Sequence, residues 1–291
     1  MSRILITGAS GFLGSNILRN VAEQNDVSII VRNISNLYRI EDLLHKVTVF
    51  NIDELEIEEI VAQSKPDIVI HCATDYGRKD VPQMQIIEAN LILPLKLLHF
   101  SKLNGVTTFI NTDTFLDKRI NHYSLSKKQF RDWFQTYSAD MLCINMILEH
   151  FYGPLDDKTK FVSHIISELL QNKPGIDLTL GEQKRNFIYI DDVVSAFQTV
   201  MTYPFENKTG FHDFFIASDT TISIRNFVET LKRFCQNEIT NLNFGVIPYR
   251  ANEIMDSSIN IDAMKKLGWS PKISLEDGLK RTIEIEKSHL S

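Results

Sequence analysis

Cysteine is scarce in this sequence. Its 291 residues hold three, Cys72, Cys143 and Cys235, too few and too scattered for a disulfide framework or a zinc site. All three read as reduced, buried thiols. Surplus charge is also small. The 31 basic against 37 acidic side chains give a formal net charge of −6, which excludes a general nucleic-acid binder because no cationic excess exists to neutralise phosphates. A local basic pocket for one small anion stays open. No apolar run approaches the roughly 20 residues that cross a bilayer, and the opening "MSRILITG" reads as a strand, not as a charged segment leading into an apolar one. The expectation is a cytoplasmic protein with neither membrane nor nucleic acid as partner. Repeats, low-complexity tracts and Gly/Ser-rich linkers are missing too.

What is present is ordinary globular material, 43% hydrophobic and 23% charged, arranged as short β-branched runs alternating with helical periods. That alternation is the signature of βαβ units around a parallel sheet. Strands are expected at Arg3–Thr7, Val27–Val31, Val47–Phe50, Ile68–His71, Thr107–Asn111 and Met141–Ile147. Helical spacing lies between them, as in Phe130, Trp133, Phe134 and Tyr137. After His150 the rhythm changes. A "FYGP" turn leads to a helix at Phe161–Leu170 and a strand at Ile176–Leu180, and "RNFIYIDDVV" looks like a return to the first sheet. A helix at Ser223–Phe234, a strand at Leu242–Val246 and a helix after Ser274 follow. The fold class expected is α/β, a Rossmann-type doubly wound parallel sheet with a smaller discontinuous C-terminal domain. Residues 1–151 and about 184–217 would form the dinucleotide-binding domain, and residues 152–183 and 218–291 the substrate domain.

The segment "ILITGASGFLGS" runs from a strand through Gly8, Gly11 and Gly14 into a helix. One glycine makes the tight turn, one lets backbone approach a pyrophosphate, and one lets helix pack on strand. The helix N-terminus then offers free N–H groups to the phosphates. A glycine triplet alone is weak, but this one opens a βαβ unit, the context that gives it meaning. The second strand ends "IIVRN", so Arg32 stands where an NAD site would favour an acidic residue for the ribose 2′-hydroxyl. An arginine there pairs with a 2′-phosphate, and NADP(H) is expected over NAD(H). The competing reading is a solvated arginine at a strand end.

"YSLSK" puts Tyr123 and Lys127 four residues apart, on one face of a helix. A tyrosine near its ordinary pKa of about 10 is a poor acid at neutral pH. A neighbouring ammonium stabilises the phenolate and suits the phenol to proton transfer at a carbonyl oxygen. Chance supplies many such pairs. This one gains weight from the preceding strand "TTFINTDTF", which places Thr112 at the sheet edge where open α/β folds bind ligands. There it can hydrogen-bond a substrate carbonyl opposite Tyr123. The bland alternative makes Thr112 a strand-end cap and Tyr123 a packing aromatic.

Together these elements resemble the extended short-chain dehydrogenase/reductase family that modifies nucleotide sugars. "TGASGFLG", "DIVIHCAT", "YSLSK", "FYGP", "RNFIYIDDVV" and "LGWSP" occur in the order that family shows, across essentially the whole chain. Within it, "HCATDYGRK", "FINTDTF", "LEHFYGP", "GEQKRNFIYIDDVV" and "FGVIPYRANEIM" look most like CDP-abequose and CDP-paratose synthases. Those enzymes reduce the C4 ketone of a CDP-3,6-dideoxy-4-keto hexose with NADPH in O-antigen (lipopolysaccharide) sugar biosynthesis. The resemblance implies that Gly8, Gly11, Phe12, Leu13 and Gly14 form the phosphate loop and that Asn51 and Ile52 flank adenine. It implies that Cys72, Ala73 and Thr74 pass beneath the cofactor, with Asn90 near the active site. Arg185 and Arg250 would grip the diphosphate, which their fork geometry suits. Tyr123 and Lys127 would also touch the cofactor, and Tyr76 and Asp113 the substrate.

Two departures matter. In the related 4,6-dehydratases an Asp–Glu pair follows the threonine; here Asp113–Thr114 stands there, and the missing second carboxylate argues against dehydration. An asparagine usually precedes "YGP" by two positions where this chain has His150, a candidate for sugar or phosphate contact or a satisfied buried histidine. Ile147 also replaces a basic residue expected nearby. Tyr76, Arg78 and Lys79 sit in a loop placed to cover the sugar, although loop charges are usually solvated. Asp191 and Asp192 have no accompanying ligands, so they are read structurally and no metal is assigned. The stretch Ile86–Leu103 is apolar on more than one helical face, and with the Tyr123 helix it points to a homodimer; Pro94 should kink that helix or sit where it is tolerated. The leading reading is a nucleotide-sugar 4-ketoreductase. The alternatives are a 4-epimerase retaining NAD and a non-catalytic NADP(H)-binding regulator.

Overall fold

A computed structural model describes residues 1–78, 81–250 and 253–289. The chain divides into two compact units, residues 1–148 with 197–215, and residues 149–196 with 216–291. Lys79 and the Ala251–Asn252 portion of "FGVIPYRANEIM" lie outside the described residues.

In chain order the first unit runs β1 (Arg3–Thr7), α1 (Phe12–Val21), β2 (Asp26–Val31), β3 (Thr48–Asn51), α2 (Ile57–Ser64), β4 (Ile68–His71), α3 (Gln83–Ile87), α4 (Leu93–Leu103), β5 (Thr108–Thr114), α5 (His122–Gln135) and β6 (Leu142–Leu148). The second unit then supplies β7 (His150–Tyr152), α6 (Phe161–Leu170), β8 (Gly175–Leu178), β9 (Lys184–Tyr189) and the start of α7 (Ile190–Thr202). The chain re-enters the first unit for β10 (Gly210–Ile216). It ends in the second with β11 (Thr221–Ser223), α8 (Ile224–Cys235), β12 (Asn241–Phe244), α9 (Asp262–Lys266) and α10 (Leu275–Ser288).

The first unit is built on a seven-stranded sheet of order β10-β6-β5-β4-β1-β2-β3. The pairings from β3 through β6 are parallel. Strands covered by helices on both faces are apolar throughout, not alternating, which is why all seven residues of β6 are buried. On one face Leu5, Val69, Leu97, Phe109, Phe130 and Phe134 form a core. Phe130 and Phe134, one turn apart on α5, stack with centroids 5.6 Å apart. The strand order reverses direction at β1, where the glycine turn lies, and such switch points are where open α/β sheets bind ligands.

A π-helical turn at Glu88–Ile92 separates α3 from α4, and Pro94 falls in the first turn of α4. The wider turn just ahead of the proline is where the helix absorbs its missing N–H.

The second unit holds a three-stranded sheet, β11-β9-β7, and a two-stranded one, β12-β8. "RNFIYI" is therefore a strand, as expected, but not a return to the first sheet. It pairs with the three-residue strands β7 and β11, and residues 184–196 belong to the second unit. The strand that does return is β10. Phe187 and Phe227 stack at 3.8 Å in the second unit's interior. The Asp192 carboxylate accepts the backbone N–H groups of Lys272 and Ile273, both at 2.9 Å, so it ties the first turn of α7 to the loop before α10. Among the described residues no helix is long and apolar enough to cross a membrane.

Candidate active site

The turn after β1 is closed to side chains. Gly8 has φ +70, and a Cβ there would lie 2.5 Å from the Ala73 nitrogen. A Cβ on Gly14 would run into the Gly8 carbonyl. Both positions bring backbone within touching distance of backbone, and only glycine permits that. Gly11 caps α1 with no side chain over the helix end, so a ligand can approach the backbone of the first turn of this ten-residue helix. Phe12 and Leu13 turn their side chains into the core and can offer a ligand only their backbone.

At the end of β2 the Arg32 side chain is exposed and makes no hydrogen bond or ion pair with a described residue, while its N–H bonds the Ser35 hydroxyl at 2.9 Å. Asn51 is engaged in its own turn, donating to Asn33 (2.6 Å) and Glu54 (2.7 Å). Its amide is therefore not free to read a base, and Ile52 beside it is half-buried.

Past β4, residues Cys72, Ala73 and Thr74 run alongside the glycine turn, the Ala73 N–H bonding the Thr7 hydroxyl at 3.2 Å. Burial pushes the Cys72 thiol up to about 12. Asn90, fully buried in the π turn, accepts from the Thr74 hydroxyl and the Asp75 N–H, each at 2.9 Å, and donates to the Asp75 carbonyl at 2.7 Å. All of these bonds go to the loop, so Asn90 shapes the site and does not reach into it.

Tyr123 and Lys127 lie in the first half of α5, whose N-cap is the Asn121 side chain bonding the Ser124 N–H at 2.8 Å. Both lie close enough to Asp113 on β5 for its charge to act on them. The Tyr123 phenol is raised above its ordinary value, first by burial and next by the adjoining Tyr76; the Thr114 hydroxyl pulls it down, Asp113 raises it, and the Thr74 hydroxyl pulls it down again. The lysine is itself buried, 1% exposed, with no hydrogen-bond partner for its Nζ among the described residues. Burial lowers it to about 8 against the upward pull of Asp113 and Cys72. An ammonium has three donors, and with none committed to a described residue Lys127 can give some of them to a ligand. The orphaned Nζ and the side-chain-free glycine cradle, on one edge of one sheet, fit a nicotinamide dinucleotide.

Thr112 donates its hydroxyl to the His71 carbonyl at 3.0 Å. Thr114, one pleat further on, has its hydroxyl facing Tyr123; by sequence alone it registers only as a missing carboxylate. Asp113 departs from its expected substrate contact. Its carboxylate is fully buried, bonded to the Thr114 N–H (2.7 Å), Asn145 (3.1 Å) and Lys128 (3.2 Å). Asn145 reaches on to Asp213 at 2.8 Å, and Asp213 pairs with Arg131. Lys128 and Arg131, three apart on α5, thus anchor that helix to two carboxylates of the sheet. These anchors went unnoticed because the strand neighbours that join them are far apart in sequence. The visible sign was polar residues inside apolar strands: Asn111 in "FINTDT" and Asn145 in "LCINMIL".

In the second unit, the Arg185 guanidinium pairs with Glu253 and donates to the carbonyls of Lys184 (2.7 Å) and Ile254 (2.5 Å). It is thus committed within the protein, not free for phosphate as expected. Arg250 is exposed, and no hydrogen bond or ion pair joins its side chain to a described residue. His150 lies on β7 against Phe187, with Nδ1 3.6 Å from the Glu149 carboxylate. Ile147 is buried in β6.

The model of a family described as the NAD dependent epimerase/dehydratase family matches residues 4–216. A CDP-abequose synthase of Salmonella muenchen is 31% identical, over 98% of this chain and 98% of its own. Among solved structures, UDP-glucose 4-epimerase from Thermotoga maritima with UDP-glucose superposes with a TM-score of 0.84 at 24% identity, covering 99% of both chains. UDP-glucose 4-epimerase of Thermus thermophilus in complex with NAD gives 0.82 at 18% identity, covering 98% of this chain and 99% of that one.

Proposed function

The chain belongs to the NAD dependent epimerase/dehydratase family, and from that premise we propose that it reduces the C4 ketone of a nucleotide-linked deoxy sugar with NADPH. The substrate class is a CDP-4-keto-3,6-dideoxyhexose. The observation that carries the reading is the orphaned Lys127 ammonium one turn from Tyr123 beside the glycine cradle. The similarity to a CDP-abequose synthase along the whole chain supports the choice of sugar.

The bound cofactor supplies the hydride. Gly8, Gly11 and Gly14 admit its pyrophosphate to backbone contact, and the positive end of the α1 dipole faces the negative charge. Arg32, exposed and uncommitted, takes the 2′-phosphate. Tyr123 gives its proton to the ketone oxygen as charge develops there, and Lys127 keeps a positive charge close to the phenolate that remains. Thr112, by turning its hydroxyl from the His71 carbonyl, polarises the same oxygen. The second elimination carboxylate of a dehydratase is replaced by Thr114, which leaves Tyr123 as the proton donor. Arg250 contributes charge for the diphosphate. The exposed Trp133 on α5, with Leu95, His99 and Phe100 on α4, forms an apolar strip through which two copies pair as a homodimer.

The test is a screen of CDP-, dTDP-, UDP- and GDP-linked 4-keto sugars for NADPH oxidation. Consumption of one NADPH per CDP-sugar reduced supports the proposal. Turnover with no net consumption makes the protein an epimerase, and no turnover with intact NADPH binding makes it a sensor. A monomer by light scattering at micromolar concentration removes the dimer.

A further inference from the structure

Beneath the Tyr123 helix a row of polar side chains crosses the parallel sheet. Thr7, His71, Asn111 and Asn145 are partners in register on β1, β4, β5 and β6. In-register neighbours of a parallel sheet point to the same face, and each of these four is buried. Hydrogen bonds close the two ends of the row, His71 Nδ1 with the Thr7 hydroxyl at 2.8 Å and Asn111 Nδ2 with Asn145 Oδ1 at 2.7 Å. The middle is open. His71 Nε2 and Asn111 Oδ1 have no hydrogen-bond partner among the described residues, and neither does the Lys127 Nζ that comes down from α5. Phe130, one turn further along α5, lies 6.1 Å from the His71 ring, and the Lys127 charge acts on that ring. His71 and Asn111 are in-register neighbours and the Lys127 charge reaches the His71 ring, yet none of the three orphaned atoms bonds another.

Their chemistry is complementary. The ammonium is a donor and Asn111 Oδ1 is an acceptor. The His71 ring is neutral, because burial and then the Lys127 charge hold it well below the usual imidazole value. Its tautomer is open to choice, and a neighbouring ammonium favours the lone pair on Nε2, with Nδ1–H donating to Thr7. One donor and two acceptors around a polar space match a single water molecule, and internal waters typically make about three such bonds.

We propose that a buried water bridges Lys127 Nζ, His71 Nε2 and Asn111 Oδ1, and that His71 and Asn111 are positioning residues holding the Lys127 ammonium in place for Tyr123. The proposal rests on the reading of Lys127 as the ammonium that serves Tyr123. Besides His71, the titratable groups acting on Lys127 are Asp113 from β5, Cys72 after β4 and Lys128 on α5. Asp113 is already paired with Lys128, and the Cys72 thiol stays protonated at neutral pH, so neither supplies what the water would.

The test reads Lys127 directly, by NMR titration of carbon-labelled lysine in cofactor-free protein, assigned with Lys127→Met. Removing an acceptor of a charged donor in Asn111→Leu or His71→Phe should move the Lys127 midpoint down by about one pH unit. Asn111→Asp, which adds negative charge at the same place, should move it up. An unchanged midpoint in both apolar variants overturns the proposal. So does a crystal structure of the native protein, at a resolution that orders internal water, with no water on these three atoms; that measurement also decides the matter if the variants do not fold. Should no 4-keto sugar consume NADPH while the midpoints move as stated, the bridge stands and the reaction reading falls.

Discussion

Tyr76 lies against Tyr123, the ring centroids 5.0 Å apart and the planes inclined at 46°. The Arg78 guanidinium covers Tyr76 at 5.1 Å, so the phenol of α5 is the inner member of a three-layer stack whose outer layers belong to the loop that Asn90 holds. The loop therefore bounds the space next to the Tyr123 phenol. Tyr76→Ala should raise KM for the sugar by roughly three- to tenfold, the range given by about 0.5–1.5 kcal/mol of ring contact, and leave the NADPH dissociation constant unchanged. Steady-state kinetics with varied sugar checks it. An unaltered KM would remove Tyr76 from the substrate's surroundings.

Thr112 and Thr114 stand on the same strand with different duties. Thr112 bonds the His71 carbonyl at 3.0 Å and Thr114 faces the phenol. Thr112→Val should lower kcat by about 10²-fold, the usual loss on deleting one donor to a developing oxyanion. Thr114→Val, acting only through Tyr123, should cost less than about tenfold. A Thr112→Val protein with full kcat and a lowered Tm would reduce Thr112 to a tie between strands.

The parts of the site that are motifs could be read from sequence because their chemistry is local. Glycines at a strand-to-helix turn and a tyrosine four residues from a lysine declare themselves within a few positions. The strands Arg3–Thr7 and Ile68–His71 and the helix Phe161–Leu170 also appear at the residues expected. Nonlocal pairing was hidden. "RNFIYI" reads as a strand by composition, but its partners are the three-residue strands β7 and β11, too short to carry a periodic signal, so composition does not reveal which sheet it joins. The π turn at Glu88–Ile92 leaves no mark in the spacing of apolar residues. Lys127 and Asp113 show the same limit in electrostatics. The spacing places the lysine beside the tyrosine, but only the packed structure shows it desolvated and unpartnered, and shows the carboxylate turned into the sheet.

On the proposed reading, cofactor choice turns on Arg32, exposed at the end of β2 and paired with no described residue. A guanidinium bonded to a phosphate is worth about 1.5–3 kcal/mol. Arg32→Asp should therefore shift the NADPH/NADH ratio of kcat/KM by one to two orders of magnitude towards NADH. Fluorescence titration with both cofactors reads the same change without turnover. An unaltered ratio would make Arg32 a solvated strand-end charge.

Lys127 should weaken the fold it serves. Burial lowers its amine from 10.5 to about 8. Below about pH 8 the native and unfolded chains both hold the proton, and the full cost of burying the charge is present. Between about 8 and 10.5 the unfolded chain keeps a proton that the native amine has released, so stability rises with pH across that window. Lys127→Met, which fills similar volume without charge, should therefore stabilise the cofactor-free protein at pH 7 by about 1–3 kcal/mol in urea unfolding. The gain should shrink as pH is raised towards 10, and turnover should fall by at least about 10²-fold. The same deprotonation should make kcat/KM of the native enzyme decline above about pH 8. A Lys127→Met protein less stable than native at pH 7 would mean that the ammonium makes structural bonds within the chain, and it would no longer be a group held in readiness for a ligand.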